Sequence, residues 1–238
     1  MSILGVIGGL GPMAGVYFAE KVTEMTDAEK DQQHVKMVLY SAPDIPDRTD
    51  YILGKSQNSP LPGILEAGRA LISLGADVIA IPCVTAHYFH REIAEGLSEA
   101  RVLHVGQECA KLLEGAGVRR AGVAATEGTV KSGILQKTLA TRGIETVVLC
   151  REGQDRVNAL IYDCVKKGLP ADRDAFFAVK EEFLRSGAQA VILGCTELSL
   201  LNREFDTGPM VLDCTEALAR AAVLACGKKL RGQFEKLI

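Results

Sequence analysis

The chain has 238 residues, of which 47% are hydrophobic and 24% charged, and its formal net charge is −3. That balance excludes a disordered protein, and no basic run is present that would grip a nucleic acid. The seven cysteines include no CxxC pair, so neither a zinc ribbon nor a disulfide framework is expected. The opening MSILGVIGG lacks a basic region and a cleavage site, and no apolar run reaches about 18 residues. A reduced, cytoplasmic protein with no membrane partner is the expectation.

Short apolar runs recur along the chain: Ile3–Ile7, Val35–Tyr40, Asp77–Ile81, Val102–Val105, Ala121–Ala125, Thr146–Leu149, Ala190–Leu193 and Met210–Leu212. They are continuous rather than alternating, which predicts strands buried on both faces of a parallel sheet. Between them, helical periodicity runs through Ala14–Met25, Gly63–Leu74, Gln107–Gly115, Lys131–Arg142 and Asp172–Ser186. Strand and helix in alternation predict a doubly wound α/β fold. The order nearly repeats at an offset of about half the chain, which predicts two similar lobes related by a pseudo-twofold. The expected division is residues 1–105 plus 214–238 for the first lobe and 106–213 for the second, with the active site in the cleft between them.

Ligands of open parallel sheets bind beyond the carboxyl ends of the strands, so those ends are read first. The first run leads into Gly8-Gly9-Leu10-Gly11-Pro12-Met13-Ala14-Gly15, a turn in which Gly9 is a candidate substrate contact and Pro12 suits the first turn of a helix. Its GxGxxxG spacing differs from the dinucleotide fingerprint, and the next run ends in Tyr40-Ser41 with no acid. A tight strand-to-helix turn without ligand is the plain alternative.

Two further strand ends match each other. Pro82-Cys83-Val84-Thr85-Ala86-His87 in the first half corresponds to Gly194-Cys195-Thr196-Glu197 in the second. A free cysteine is ordinarily a core residue, but two at equivalent ends of a repeat suggest function. At a helix N-terminus the thiol pKa is expected to fall toward the working range. Opposed thiols suit inversion of a stereocentre: one removes the Cα proton as thiolate, the other returns a proton from the opposite face. The hydroxyls of Thr85, Thr126, Thr129 and Thr196 are candidates for holding the substrate carboxylate and the charge that develops on it.

These residues, behind the opening GGxGP, resemble the cofactor-independent aspartate/glutamate racemase family, and within it the aspartate racemases. Ile45-Pro46-Asp47-Arg48-Thr49, Tyr51-Ile52-Leu53-Gly54-Lys55, Ala124-Ala125-Thr126-Glu127-Gly128-Thr129, and Ile161-Tyr162 with Val165-Lys166 extend the resemblance over nearly the whole chain. It implies two α/β lobes, a homodimer, no pyridoxal phosphate or other cofactor, and Cys83 and Cys195 as the acid/base pair. By motif position it also implies that Arg48 and Lys166 contact the carboxylates of a small amino-acid or dicarboxylate substrate. Two positions depart from the family pattern: Val84 stands where Asn is usual, and Gly15 where Thr is common.

His87 and Glu197 are read as supporting residues, one tuning a thiolate from four positions on, the other relaying protons or holding the second thiol. An ordinary helix-lining or capping role is the alternative for each. His34, His90 and His104 have neither an HExxH motif nor a cysteine at ligand spacing, so no metal is expected. Cys109, Cys150, Cys164, Cys214 and Cys226 are expected in the core, and the absence of GxSxG argues against a serine hydrolase. The reading is an amino-acid racemase acting on aspartate, with glutamate second. The alternatives are a related isomerase, decarboxylase or hydantoin racemase, a binding protein that has lost turnover, and a thiol redox switch.

Overall fold

A computed structural model, which describes residues 2–170 and 172–238, resolves the expected alternation into two four-stranded sheets. The first contains β1 (Ile3–Gly8), β2 (Lys36–Ser41), β3 (Val78–Ala80) and β4 (Arg101–Val102), in the order β2-β1-β3-β4. The second contains β5 (Arg120–Ala124), β6 (Glu145–Val147), β7 (Ala190–Leu193) and β8 (Val211–Asp213), in the order β6-β5-β7-β8. Every pairing between these strands is parallel, and the two orders are the same. The protein is therefore an α/β fold of two similar doubly wound lobes.

The strand period explains why these runs read as continuously apolar. On β1, Leu4 and Val6 face a core common to both lobes, whereas Ile7 faces a core of the first lobe alone. On β7, Ala190 and Ile192 face the common core while Val191 and Leu193 face a separate core of the second lobe. Each large apolar side chain so buried contributes about 1.5–3 kcal/mol, and both faces are occupied, so register is firmly set.

Helices cover both faces. In the first lobe α1 (Pro12–Met25) begins on Pro12, whose fixed φ suits the first turn. A short α2 (Arg48–Ile52) is capped by Asp47, whose carboxylate accepts from the Asp50 amide over 2.9 Å. α3 (Leu61–Ser73) and α4 (His90–Gly96) complete this lobe's cover. The run expected as a strand to Val105 stops at Val102, because His104 caps α5 (Val105–Gly115) by accepting from the Gln107 amide at 3.3 Å. The helix expected over Lys131–Arg142 is two helices, α6 (Glu127–Ser132) and α7 (Ile134–Ala140), parted by Gly133 at φ 67°. α8 (Arg151–Asn158) continues into a π-helical turn, Ala159–Cys164, and a 3-10 turn, Val165–Lys167, neither anticipated from periodicity. α9 (Arg173–Arg185), α10 (Thr196–Ser199) and α11 (Cys214–Ala225) follow.

Two of these helices cross between the sheets. α5 leaves the first sheet and packs on α7, while α11 leaves the second and packs on α1 and β3. The pair also packs on each other, bringing the buried thiols of Cys109 and Cys214 to 3.4 Å. Past α11 the chain bridges Leu230 to Thr26 at the end of α1.

At the start of this architecture Gly9 has φ 89°, and a Cβ there would stand 2.4 Å from the backbone of Ala42. Both the left-handed conformation and the clash with fixed backbone oppose a side chain. Gly9→Ala should lower the unfolding free energy by on the order of 3 kcal/mol, seen as a lower urea midpoint at unchanged slope.

Candidate active site

Cys83 lies beyond β3 and opens a 3-10 turn, Val84–Phe89; Cys195 lies beyond β7 and opens α10. Val78 pairs with Leu4 as Ala190 pairs with Ala121, and Cys83 and Cys195 follow Val78 and Ala190 at the same spacing. Both thiols line one pocket between the lobes. Leu10, Arg48 and Thr49 line it from the first half, and Thr126, Lys166 and Glu197 from the second. Their exposures of 7% and 6% contrast with 0% for Cys109, so these two thiols reach the pocket while Cys109 does not.

The surroundings of Cys195 are the more defined. Its thiol donates to Glu197 Oε2 over 2.8 Å, and Thr196 Oγ1 donates to the same oxygen at 3.3 Å. Lys166 Nζ stands 3.9 Å from Glu197 Oε1 and 4.7 Å over the Tyr162 ring. Burial, then the Glu197 charge, push the Cys195 thiol well above its ordinary range, and Lys166 only partly opposes them. The expected lowering by a helix terminus is therefore corrected. α10 has four residues, and desolvation and a carboxylate outweigh so short a dipole. Cys195 rests as a neutral thiol with an acceptor in place for its proton.

A buried carboxyl anchors this helix from behind. Asp213 accepts from Ser199 Oγ at 2.6 Å, from Asn202 Nδ2 at 2.9 Å and from the Thr215 amide at 2.7 Å. Burial and the Glu216 charge raise its carboxyl to about 7. Across the pocket, Thr85 Oγ1 lies 2.8 Å from Thr129 Oγ1 and 3.3 Å from Thr126 Oγ1, joining the two halves by hydroxyls. Thr126 caps α6 by accepting from the Thr129 amide at 3.2 Å. Thr85, Thr126 and Thr196 line the pocket, whereas Thr129 is fully buried and supports Thr85 and Thr126.

The cations differ from each other. Burial alone would lower the Lys166 pKa, but Glu197, Tyr162 and Cys195 raise it on balance, so it stays an ammonium. Arg48 has its terminal nitrogens committed: Nη1 donates to Ile45 O at 3.2 Å and Pro46 O at 3.0 Å, and Nη2 to Leu10 O at 3.1 Å. An unencumbered guanidinium fork is thus not what the loop presents; Nε is buried without a partner.

A family profile described as Asp/Glu/Hydantoin racemase matches residues 7–222, nearly the whole described fold. The chain belongs to this family. It is 33% identical to Picrophilus torridus aspartate racemase, with a TM-score of 0.78 over 99% of this chain and 98% of that one. It is 28% identical over 225 residues to the broad specificity amino-acid racemase RacX of Bacillus subtilis (strain 168), covering 93% of this chain and 96% of that protein. Glutamate racemase from Francisella tularensis, solved with D-glutamate, matches at a TM-score of 0.65 and 16% identity over 94% of this chain and 80% of that one, a likeness of fold alone. Membership supports an isomerase that acts as an amino-acid racemase.

Within the racemase fold the two departures have different meanings. Val84 lines the pocket and joins the common core, so an isopropyl group stands on the pocket wall where an amide is usual. Gly15 lies under β1: a Cβ there would sit 3.4 Å from Gly8 Cα and Leu39 Cδ1, so this position sets helix-to-strand distance. Gly9 likewise faces Ala42 and is not among the pocket residues; Leu10, next in the same turn, is. Of the five cysteines expected in the core, Cys109, Cys214 and Cys226 are buried, but Cys150 is exposed and Cys164 half-buried. Both fall around α8, where the chain runs along the surface rather than under the sheet. Asp47 and Thr49 also line the pocket, and Tyr162 lines the cavity beside it; each lies in a stretch that carries the family resemblance, although its residue type alone does not mark it as a site residue.

His87 is directed away from tuning a thiolate. It sits in a 3-10 turn, its Nε2 meets Ile81 O at 3.1 Å, and its ring stacks on His90 at 5.7 Å and tilts toward His104 at 5.4 Å. His90 and His104 are 4.4 Å apart. Burial holds all three pKa values low, and neighbouring imidazoles add to it at His87 and at His104, the latter held at about 4. The folded state thus prefers neutral rings. Its stabilisation from them is present above the unfolded pKa of about 6.5 and is lost as pH falls toward the folded values. His104→Asn, which retains a capping side chain, should remove on the order of 2 kcal/mol of the acid-side loss between pH 7 and about 4. Urea unfolding at a series of pH values measures that slope.

Proposed function

We propose that this racemase acts on aspartate, with glutamate second, without a cofactor, using Cys83 and Cys195 as an opposed acid/base pair. The observation that carries the reading is that both thiols, from equivalent strand ends of the two sheets, line the same pocket. Two acid/base groups on opposite faces of Cα allow the proton to be taken from one face and another returned to the other without the intermediate turning over.

In the proposed step Cys195 passes its proton to Glu197 Oε2 and, as thiolate, takes the Cα proton of one enantiomer. The electron pair left on Cα delocalises into the α-carboxylate. The Lys166 ammonium and the hydroxyls of Thr85, Thr126 and Thr196 supply the charge and donors that such a carboxylate needs in a partly desolvated pocket. The unpartnered Arg48 Nε is the donor a substrate carboxylate would satisfy. Cys83 then delivers a proton to the opposite face, leaving Cys83 as thiolate, Cys195 as thiol and the first proton on Glu197; this is the state that acts on the other enantiomer, after which Glu197 returns its proton to Cys195.

The same reading divides the chain into residues 1–105 with 214–238 and residues 106–213, supported by the packing of α11 on α1 and of α5 on α7. It carries a homodimer from the family resemblance, to be measured by sedimentation.

Incubation with L- and D-aspartate in D2O, with no cofactor added, should exchange the Cα proton by NMR and erase optical activity. Cys83→Ser and Cys195→Ser should each lower racemisation by at least about 100-fold. Full activity in either variant would overturn the two-base mechanism. Binding of one enantiomer without exchange would replace it with a binding protein, the reading that Val84 favours; glutamate and less polar amino acids in parallel test the substrate.

A further inference from the structure

The Lys166 ammonium has three neighbours with different roles. Glu197 Oε1 draws it from one side at 3.9 Å, in a pair whose lysine side chain is 34% exposed. A partly exposed ion pair of that length contributes little and holds a long side chain poorly. The Tyr162 ring lies beneath the ammonium at 4.7 Å, within the range in which an aromatic face attracts a cation. Tyr162 and Lys166 are four residues apart on the turn of chain that follows α8, so the ring is carried by the same segment as the charge it holds. That segment is π-helical through Tyr162, a local widening that is common at functional sites and re-aims the side chains it carries.

Tyr162 itself faces the opposite lobe, where its hydroxyl lies toward the Thr49 side chain on α2. Thr49 in turn packs on Gly128 of α6 so closely that a Cβ there would stand 2.8 Å from Thr49 Oγ1. Tyr162 does not line the pocket that holds the thiols; with Thr49 and Asp47 it lines the adjoining cavity. It therefore stands one layer outside the reacting atoms, spanning the seam between the lobes.

We propose that Tyr162 is a positioning residue, whose ring, lying at the seam beside Thr49, seats the Lys166 ammonium against Glu197 on the Cys195 side of the pocket. The inference rests on the two-thiol reading above for its catalytic meaning, but its geometry stands without it. The ammonium so placed favours the Cys195 thiolate, because its positive charge on the same pocket wall opposes the burial and the carboxylate that disfavour ionisation of that thiol. The titratable groups facing Lys166 are Glu197, Tyr162, Cys195 and Asp47, and Arg48 lines the same pocket. Without the ring, Lys166 has water and a partly exposed ion pair to choose from, and its charge leaves the thiol.

The test is the alkylation rate of Cys195 by iodoacetamide against pH, read by mass spectrometry of the peptide that carries it, so that the exposed Cys150 does not interfere. Tyr162→Leu should raise the midpoint by about one pH unit and slow alkylation below it about tenfold. Tyr162→Phe keeps the ring and should stay within about a factor of two of the unmodified protein. Lys166→Met should match Tyr162→Leu, and adding Tyr162→Leu to Lys166→Met should change nothing more. An unchanged midpoint in Tyr162→Leu, or an equal shift of that change in the Lys166→Met background, would overturn the proposal. Tyr162→Met, which refills the volume without a ring, substitutes if the Leu variant does not fold by circular dichroism. Alkylation requires no turnover, so absence of racemisation would overturn the function proposed above and leave this inference to its own result.

Discussion

Two parallel sheets can serve one pocket only if their carboxyl ends meet, and the rest of this molecule follows from that constraint. Parallel strands send every crossover to the same end of the sheet, so each lobe carries its strand-end loops on one edge. The two edges are held together by a core that runs through both lobes, with Leu4, Val6 and Val84 from one side and Val123, Leu135 and Ile192 from the other. Exchange of α5 and α11 between the lobes extends this core and makes their relative placement a matter of packed side chains rather than of a linker. A packed seam of this kind resists graded deformation, which holds the two thiols on the wall of one pocket in fixed relative positions.

The fold repeats, but the site is not symmetric. The Cys195 thiol has a carboxylate at 2.8 Å and an ammonium behind that carboxylate, and its helix is tied to the buried Asp213. Cys83 begins a 3-10 turn next to Val84, and the base nearest in sequence, His87, turns into a cluster of imidazoles. For interconversion of enantiomers the equilibrium constant is unity, so kcat/KM must be equal in the two directions. Unequal thiols are compatible with that constraint, because the difference falls on kcat and KM separately. The energetics at Cys195 also show which effect governs a buried thiol: burial and an adjacent carboxylate outweigh a four-residue helix.

Much of this was legible in the chain. The eight apolar runs correspond to the eight named strands within a few residues, because burial on both faces writes itself as a continuous apolar string. Cys83 and Cys195 were identifiable because the repeat put them at equivalent strand ends. Local pattern is silent where a distant group decides. The Ala42 backbone, far along the chain, is what excludes a side chain at Gly9. Arg48, the expected carboxylate contact, has its terminal nitrogens on the carbonyls of Ile45, Pro46 and Leu10, and its buried Nε without a partner. His87, His90 and His104 converge because the 3-10 turn that carries His87 packs against both α4 and α5.

The cysteines that began as an odd count now divide by environment. What the chain determined by itself was composition, period and repeat: a doubly wound α/β protein in two halves, with a thiol at the matching strand end of each. Those follow from side-chain burial and backbone preference within a few residues of sequence. Which thiol has a proton acceptor, where Lys166 rests and how Tyr162 spans the seam were decided only by tertiary structure. Each depends on groups brought within about 3–5 Å across the lobes, and electrostatics and desolvation at that range are set by spatial rather than sequence neighbours.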